Sequence, residues 1–247
     1  MDNPLCAQAV WDRSYEQHTL AAAGPEDPLR RWIEDRFRGR SGSCLELGCF
    51  PGRFIAVFGE LGFELHGVDL TPRTETELAP WLAARGHRVG KFVRGDFFQH
   101  DYGRRYDVVC SFGVIEHFSD WPAFLAHQAS LVAPGGLLVV TAPNFRGWVQ
   151  RGIHRWLDRP NYERHCIDAM RPAAWAAELT RAGWHVLEHG GLGKFEYWVE
   201  PGERSPWVRA GLRVVAELRG PATRYLPADA LWCCPYLRLI ARRPAAP

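Results

Sequence analysis

Short apolar runs alternate with amphipathic stretches along most of this chain, and this alternation constrains its fold more than any other feature. Such a run is typical of a buried parallel strand, and the stretch between two runs is typical of a helix packed on the sheet. The predicted strands are Cys44–Cys49, Glu64–Leu70, Lys91–Phe97, Tyr106–Phe112, Leu137–Ala142, Trp184–Glu188 and Pro235–Arg243. The predicted helices are Arg53–Leu61, Thr74–Arg85, Asp120–Val132, Arg171–Arg181 and one near Ser205–Leu218. The sequence therefore predicts an α/β fold with an open, mainly parallel sheet and helices on both faces.

The alternation also divides the chain into segments of different character. We expect leader helices over residues 1–40 and a sheet-forming, ligand-binding core over residues 41–143. Residues 144–170 are polar, rich in arginine and tryptophan, and lack a strand, so we interpret them as an insertion that caps the site. The rest of the core occupies residues 171–247 and carries a second insertion at about 195–230. A length of 247 residues is ample for one hydrophobic core.

Charge and cysteine content narrow the possible partners. The net charge of +2 gives no field that would draw the chain to nucleic acid or to an anionic membrane. The chain has no run of ~18 apolar residues, and its N-terminus is unlike a signal peptide, so we expect a cytoplasmic protein. The seven cysteines form no C-x-x-C pair, so neither a disulfide framework nor a metal site is predicted. No feature of the sequence indicates an oligomeric state.

A glycine-containing turn follows the first predicted strand and leads into the first predicted helix. Gly48 and Gly52 remove side chains where a ligand must lie against the backbone, and the helix N-terminus offers unpaired N–H groups. Asp69 ends the second strand, where an acidic side chain can accept hydrogen bonds from both hydroxyls of a ribose. The motif indicates a nucleotide or nucleoside site; a tight turn without a ligand is the alternative.

Three further landmarks follow in order along the chain. Gly95-Asp96-Phe97 follows the third predicted strand, Tyr106–His117 ends the fourth, and Leu131–Val140 leads into the fifth. Together with the glycine turn and Asp69, they resemble the class I S-adenosylmethionine-dependent methyltransferases, especially the small-molecule branch. The resemblance covers residues 10–143 well and the later core more loosely. It implies a Rossmann-like, seven-stranded, mostly parallel sheet whose last strand is antiparallel.

The resemblance also implies roles for individual residues around S-adenosylmethionine. Those implied to line the methionine end of the cofactor are Glu46, Gly48, Cys49 and Gly52. Those implied to contact the ribose and the adenine are Asp69, Leu70, Asp96 and Phe97. Those implied to pass beneath the methionine and the sulfonium are Ser111, Phe112 and Gly113. Trp11–Tyr15 is similar to the leader of this family, which makes Tyr15 a candidate lid over the cofactor.

Two departures from the usual pattern of the family bear on function. At Phe50, where glycine is common, a bulky side chain must point away from the cofactor, or the loop must shift. After the fourth strand, SFGVIEHF lacks the proline-rich tetrapeptide of amino-methyltransferases that act on DNA bases. With the small net charge, this favours a small-molecule acceptor over nucleic acid.

The chemistry of a sulfonium decides what the site must supply. Its methyl group is already activated, so transfer mainly requires the acceptor atom in line at ~3 Å. Acid–base help is secondary, worth ~10²- to 10⁴-fold where it is used. If a base exists, His117 and His165 are the candidates, since a histidine pKa near neutrality suits a phenol or hydroxyl proton. The structural alternatives are that His117 orders a loop and that His165 ties the insertion to the next helix.

Aromatic and arginine residues are concentrated in Phe145–Tyr162. One interpretation is a lid with an aromatic-lined pocket for a ring-bearing acceptor; the other is an amphipathic helix with its tryptophans on the core and a solvated arginine face. We expect S-adenosylmethionine-dependent methylation of a small molecule, at oxygen, in a biosynthetic pathway. The alternatives are a non-catalytic cofactor-binding protein and an NAD-type oxidoreductase, although the G-x-G-x-x-G fingerprint of the latter is absent.

Overall fold

The computed structural model describes residues 19–200 and 202–245, and within them seven strands form one sheet. The strands are β1 (Ser43–Leu47), β2 (Glu64–Asp69), β3 (Arg88–Arg94), β4 (Tyr106–Phe112), β5 (Val132–Pro143), β6 (His185–Leu192) and β7 (Tyr236–Arg242). Their order across the sheet is β3-β2-β1-β4-β5-β7-β6. Strands β1 to β5 pair in parallel, whereas β7 runs antiparallel to β5 and β6. The predicted mostly parallel sheet with an antiparallel last strand is confirmed.

Helices connect the strands and cover the sheet. They are α1 (Pro28–Phe37), α2 (Ile55–Glu60), α3 (Ala79–Ala84), α4 (Trp121–Ser130), α5 (Trp148–Leu157), α6 (Arg159–Glu163), α7 (Pro172–Arg181) and α8 (Pro206–Tyr225). Asp120 caps α4, because its carboxylate accepts a hydrogen bond from the Ala123 N–H at 3.3 Å. Pro80 delays the start of α3, and the preceding turn, Thr74–Leu78, is π-helical. Within the described ranges, none of the helices has the length and apolar character needed to cross a membrane.

Several predicted boundaries differ from the observed ones. The third strand begins at Arg88, three residues before the predicted Lys91, because this edge strand buries only Phe92 and the sequence pattern leaves its register weakly fixed. The fifth strand begins at Val132, so the predicted turn before Leu137 is part of the strand. There Val132 pairs with Tyr106. The sixth strand and α8 also run longer than predicted, to Leu192 and Tyr225.

Apolar side chains pack on both faces of the sheet. On one face, the rings of Phe37, Phe58 and Phe63 meet edge to face, with centroids 5.0–6.2 Å apart. On the other face, Trp175 of α7 is fully buried, and its indole N–H donates to the Ala169 carbonyl at 2.7 Å. Burial on both faces accounts for the near-continuous apolar runs of the central strands.

We expect Trp175→Ala to lower the free energy of unfolding by about 3–5 kcal/mol, because it leaves a large cavity and removes the hydrogen bond from the indole N–H to the Ala169 carbonyl. Urea denaturation followed by circular dichroism measures the change. Trp156→Ala is the matched control, since this indole is 74% exposed, and its effect should stay within about 0.5 kcal/mol. Equal effects of the two substitutions would contradict the burial of Trp175.

The strand order fixes where a ligand can bind. Because β3 and β4 are consecutive in sequence but lie on opposite sides of β1, the connections diverge next to β1. Ligands of open α/β sheets bind in the crevice outside the carboxyl ends of the strands at such a switch point. The glycine turn after β1 and the segment after β4 both begin at this crevice.

Candidate functional site

A cavity of about 710 Å³ lies at this switch point. Two contrasting sets of side chains line it. At the sheet edge, the acidic residues are Glu46, Asp69 and Asp96, from the ends of β1 and β2 and the turn after β3; Glu116 and Glu200 line the cavity elsewhere. An aromatic wall, formed by Phe145, Trp198 and Tyr236, lies near His117 and His165. The cavity therefore combines a polar part suited to a nucleoside with an apolar part suited to a ring.

The glycine turn after β1 is shaped by two residues with left-handed backbone. Gly48 has φ of 69° and Gly52 has φ of 86°, values that side-chain-bearing residues rarely adopt. A Cβ atom on Gly48 would lie 2.8 Å from Val114 Cγ2, and one on Gly52 would collide with Leu78. Both glycines are therefore required for the close approach of this turn to its neighbours, and the turn leaves backbone facing the cavity.

The carboxylate of Asp69 is held in place by two backbone groups. Its Oδ2 accepts a hydrogen bond from the Phe50 N–H at 3.1 Å, and its Oδ1 accepts one from the Thr71 N–H at 3.1 Å. Asp96 is fixed similarly, since it accepts from the Phe98 N–H at 2.9 Å. The two carboxylates thus need little rearrangement before they bind a polar ligand.

Glu46 is buried at the carboxyl end of β1, and its Oε2 has no hydrogen-bond partner within the described part of the chain. Burial raises the pKa of this carboxyl well above its ordinary value. An orphaned carboxylate oxygen is costly in a protein interior. A cationic group placed in the cavity would satisfy this oxygen and lower that pKa again, so the site fits an ammonium-bearing ligand.

Phe50 is accommodated by packing into the core. Its side chain is only 4% exposed and joins the apolar cluster on the α1 face of the sheet. The guanidinium carbon of Arg73 lies 4.7 Å from the centre of its ring. The peptide bond between Phe50 and Pro51 is cis. The bulky residue is therefore compatible with a cavity, which it lines beside the glycine turn.

The structure brings most of the sequence-predicted residues to this cavity. Those that line it are Glu46, Gly48, Cys49, Gly52, Asp69, Leu70, Asp96, Phe97, Phe112, Gly113, His117 and His165. Ser111 is not among the lining residues: it is fully buried, and its hydroxyl donates to Gln128 Oε1 at 3.2 Å. Alternate residues of a strand face opposite sides, so Phe112 and Ser111 cannot both face the ligand. Tyr15 lies outside the described residues.

His117 and His165 form a pair, with ring centroids 4.7 Å apart. Nδ1 of His165 lies 2.6 Å from the Asn161 carbonyl, and Nδ1 of His117 lies 3.4 Å from the Arg164 carbonyl. Because a carbonyl only accepts, the Nδ1 of a neutral His165 carries the proton. This tautomer leaves the Nε2 of His165 with a lone pair that can accept a proton.

Burial sets the protonation states of this group. It lowers the pKa of His165 to about 4 and that of His117 to about 3, and it raises the pKa of Glu116 to about 8. Both imidazoles are therefore neutral at pH 7, and Glu116 is mostly protonated. The histidine pKa values lie below the near-neutral range expected from the sequence, because desolvation outweighs the hydrogen bonds.

Glu116, His117 and His165 also offer three potential metal ligands, whose ligand atoms lie within 4.8 Å of one another. One carboxylate and two imidazoles can hold a divalent cation. The buried position opposes this use, because it favours the protonated form of Glu116, which must lose its proton before it can coordinate. The imidazoles are neutral and each keeps a lone pair, although burial also makes them weaker bases than an exposed histidine.

We expect Glu116→Gln to change how stability depends on pH. The pKa of Glu116 in the folded state is about 8, above its ordinary value of 4.5. As far as this group is concerned, the folded state therefore keeps its full stability below about pH 4.5 and loses stability as the pH rises from there toward about 8, because only the unfolded chain releases the proton in that range. Relative to the wild type, the variant should gain about 1 kcal/mol or more in free energy of unfolding between about pH 5 and pH 8. Denaturant titrations at the two pH values, with the exposed Glu217→Gln as control, test this. A pH-independent difference would contradict it.

Two residues of the aromatic part, Arg164 and Tyr236, were not predicted from the sequence, whereas Phe145 and Trp198 belong to the aromatic residues that suggested a lined pocket. Trp198 stacks on Tyr236, with centroids 5.2 Å apart and an interplanar angle of 13°. Phe145 lies 6.0 Å from Trp198 and 4.8 Å from His165, measured between ring centroids. Arg164 lines the same part of the cavity, where its buried Nε has no partner among the described residues. The concentration of aromatic residues pointed to residues 145–162 and to Trp198, but no local pattern identified Tyr236.

Comparisons with known proteins agree with this geometry. A family model described as "Methyltransferase domain" matches residues 18–189. The ubiquinone biosynthesis O-methyltransferase of Azorhizobium caulinodans is 28% identical over 169 residues, which cover 60% of this chain and 60% of that protein. A protein of the same name from Rhodopseudomonas palustris strain BisB5 is 29% identical over 181 residues, 70% of each chain. The alignment thus spans about 60% of the length of the first of these relatives.

Solved structures share the fold at low sequence identity. The 1,6-didemethyltoxoflavin-N1-methyltransferase of Burkholderia thailandensis, solved with S-adenosylhomocysteine, matches with a TM-score of 0.56 and 18% identity, over 99% of this chain and 93% of that one. The N-methyltransferase NodS of Bradyrhizobium japonicum WM9, also with S-adenosylhomocysteine, matches with a TM-score of 0.51 and 18% identity, over 98% and 89%. At these identities, the similarity concerns the arrangement of strands and helices.

Proposed function

Because the chain belongs to the class I family of S-adenosylmethionine-dependent methyltransferases, we propose that it methylates a small, ring-bearing acceptor with this cofactor. One observation carries the proposal: a single cavity joins the three carboxylates and the glycine turn to the aromatic wall and the histidine pair. The first set suits an adenosyl and amino acid moiety, and the second suits an aromatic acceptor.

The described residues fit S-adenosylmethionine on two structural grounds. The orphaned Oε2 of Glu46 is suited to the ammonium of the methionine moiety, and the turn containing Gly48 and Gly52 leaves backbone where that moiety would lie. Asp69, held by two backbone N–H groups, is suited to the ribose hydroxyls, and Asp96 with Phe97 to the adenine. When bound, the cofactor supplies a methyl group on a sulfonium, which is transferred by in-line displacement.

The remaining residues would bind the acceptor and receive its proton. The aromatic wall would stack on a ring and exclude water, which orients a hydroxyl group toward the methyl-bearing part of the cavity. Nε2 of His165 would accept the hydroxyl proton as the new O–C bond forms, and the Asn161 carbonyl fixes the tautomer required. The names of the two curated relatives, both O-methyltransferases, support oxygen as the acceptor atom.

We also propose that the two insertions together form a cap over the acceptor. Residues 144–170 contribute Phe145, Arg164 and His165 to the cavity, and residues 195–230 contribute Trp198. Gln150 links the insertions, because its side-chain amide donates to the Glu196 carbonyl at 2.7 Å. A cap of this kind would determine which acceptors fit, while the sheet edge holds the cofactor.

Isothermal titration calorimetry tests the proposed cofactor. We expect S-adenosylmethionine and S-adenosylhomocysteine to bind, and NAD not to bind at the same concentrations. Turnover of catechol-type and phenol-type acceptors, followed by the release of S-adenosylhomocysteine, tests the reaction. Binding of NAD in place of S-adenosylmethionine would refute the function, and cofactor binding without turnover of any acceptor would favour a non-catalytic role.

A further inference from the structure

The cap carries a large exposed apolar surface on its outer side. We define the outer face of the cap as the exposed apolar residues of α5, of α8 and of the loop before β7: Trp148, Trp156, Trp207, Val214, Leu218, Tyr225 and Leu231. The most exposed of these, Trp207, has 86% of its surface accessible. Exposed aromatic residues in this number are unusual on a monomeric surface and mark an interaction site.

The residues of the outer face lie on elements that pack together. Gly211 of α8 packs on Leu157 of α5, since a Cβ atom on this glycine would lie 2.7 Å from Leu157 Cδ2. Trp156 precedes Leu157, and Trp207 lies one helical turn before Gly211, so the two indoles flank this contact. At the other end of α5, Trp148 stacks on Trp232 at 5.3 Å between centroids, next to Leu231.

The pattern along α8 is that of a helix with an unpartnered apolar stripe. Positions 207, 214, 218 and 225 are separated by intervals of seven, four and seven residues, so they fall on one side of the helix. None of the 20 residues of α8 is buried. The helix therefore rests on the cap by a partly buried face and leaves a second apolar stripe in solvent.

Charge indicates what covers this surface. Helices α5 and α8 together contain six arginines and one acidic residue, Glu217, which gives a net charge of +5 (6 − 1) in a chain whose total is +2. Arg219 is paired with Glu196 at 2.5 Å. The other five have no ion-pair partner within residues 19–200 and 202–245. A partner with a dense negative charge and an apolar interior would complement the surface.

We propose that the outer face of the cap docks on the surface of an anionic lipid bilayer. Tryptophan, leucine and tyrosine side chains enter the boundary between headgroups and acyl chains, and the arginines bind lipid phosphates. A second copy of this chain fits less well, because a symmetric contact through this face would bring the two arginine-rich helices together. Docking does not require a helix to cross the bilayer.

The position of this surface has a consequence for the acceptor. The elements of the outer face belong to the same two insertions that line the acceptor part of the cavity, through Phe145, His165 and Trp198. A docked enzyme would therefore hold its acceptor part close to the lipid, where a hydrophobic ring compound concentrates. This second step rests on the proposed function, whereas the docking itself does not.

Vesicle co-sedimentation tests the docking. We expect at least ~10-fold more protein to pellet with vesicles of phosphatidylcholine and phosphatidylglycerol than with phosphatidylcholine alone, and the difference to disappear in high salt. The double variant Trp156→Ser/Trp207→Ser should lose ~10-fold or more of the binding. Leu187→Ser, at a 49%-exposed position on β6, is the matched control and should bind as the wild type does.

Three outcomes would overturn the proposal: equal pelleting with neutral and anionic vesicles, unchanged binding by the double variant, or a dimer in light scattering that the double variant dissociates. Calorimetry with S-adenosylmethionine on the same double variant keeps the two proposals apart. Retained cofactor binding with lost vesicle binding confirms docking through this face. Cofactor binding absent from wild type and variant alike would refute the proposed function without affecting the docking result.

Discussion

Asp69→Asn is expected to weaken the binding of S-adenosylmethionine by about 100-fold or more. The carboxylate is positioned by the N–H groups of Phe50 and Thr71, so it can accept from the ribose hydroxyls without rearrangement. Hydrogen bonds to a charged group contribute about 1.5–3 kcal/mol each, and two of them account for a factor of this size. The side-chain amide that replaces this carboxylate would also turn its NH₂ group toward the N–H of Phe50 or of Thr71, so that two donors would face each other. Calorimetry measures the dissociation constant directly.

The control for this prediction is Asp35→Asn, an exposed carboxylate on α1 that does not line the cavity. It should leave the affinity unchanged. Thermal denaturation of both variants shows whether the fold is retained, since Asp69 also organises the turns at residues 50 and 71. A folded Asp69→Asn protein with wild-type affinity would exclude the ribose-binding role.

His165→Ala is expected to lower turnover by about 100- to 10,000-fold, with the affinity for the cofactor changed by less than about 3-fold. The substitution removes the Nε2 lone pair that the Asn161 carbonyl holds in its accepting tautomer. We expect His117→Ala to have a similar but smaller effect, because the longer contact of its Nδ1 with the Arg164 carbonyl fixes its ring less tightly.

The dependence of turnover on pH separates a base from a structural residue. With a phenolic acceptor, the His165→Ala rate should rise about 10-fold per pH unit between about pH 7 and 9, because solvent then removes the proton. The wild-type rate should be nearly flat over this range, since burial lowers the pKa of His165 to about 4. Parallel profiles, or unchanged turnover in both histidine variants, would refute the base. Loss of wild-type turnover after chelation would instead indicate a metal held by this cluster.

The sequence predicted the central part of the sheet closely and its edge less well. The predicted fourth strand, Tyr106–Phe112, matches β4 at both ends, because its buried apolar run begins after two arginines and ends at Gly113, whose φ is 73°. The edge strand β3 buries one side chain, so its apolar pattern could not fix its register. Strand β5 extends back to Val132 because Val132 pairs with Tyr106 across an irregularity in the ladder. The sequence of residues 133–136 is typical of a turn and gives no sign of this pairing.

The residues of the site also differ in how well the sequence predicts them: those set by local sequence could be predicted, and those set by tertiary contacts could not. Residues of the glycine turn, with Asp69 and Asp96, could be predicted because each lies at or just after the end of a strand, and parallel strands end at one edge. The position of Trp198 could not, because it lies in a stretch without regular structure and is held at the cavity by packing on Tyr236, Phe145 and His154. The pKa values of the histidine pair depend on burial, which likewise comes from the tertiary structure.

Net charge does not describe every face of the protein. The total is +2, whereas helices α5 and α8 together carry +5 (6 − 1), so the rest of the chain sums to −3 (2 − 5). The unequal distribution appears only when α5 and α8 pack side by side, with Gly211 against Leu157. For this chain, the charge of a folded face is the relevant quantity.

The direction of β7 makes the enzyme modular. Because this strand runs opposite to its neighbours, the segment that leads into it starts from the same edge at which β5 ends. Both segments of the proposed cap therefore begin at the same edge of the sheet, and neither interrupts a strand. Grafting residues 144–170 and 195–230 from a related protein should exchange acceptor preference while the cofactor half is left intact. Natural relatives could change acceptor preference in the same way, by replacing these two segments while the sheet is kept.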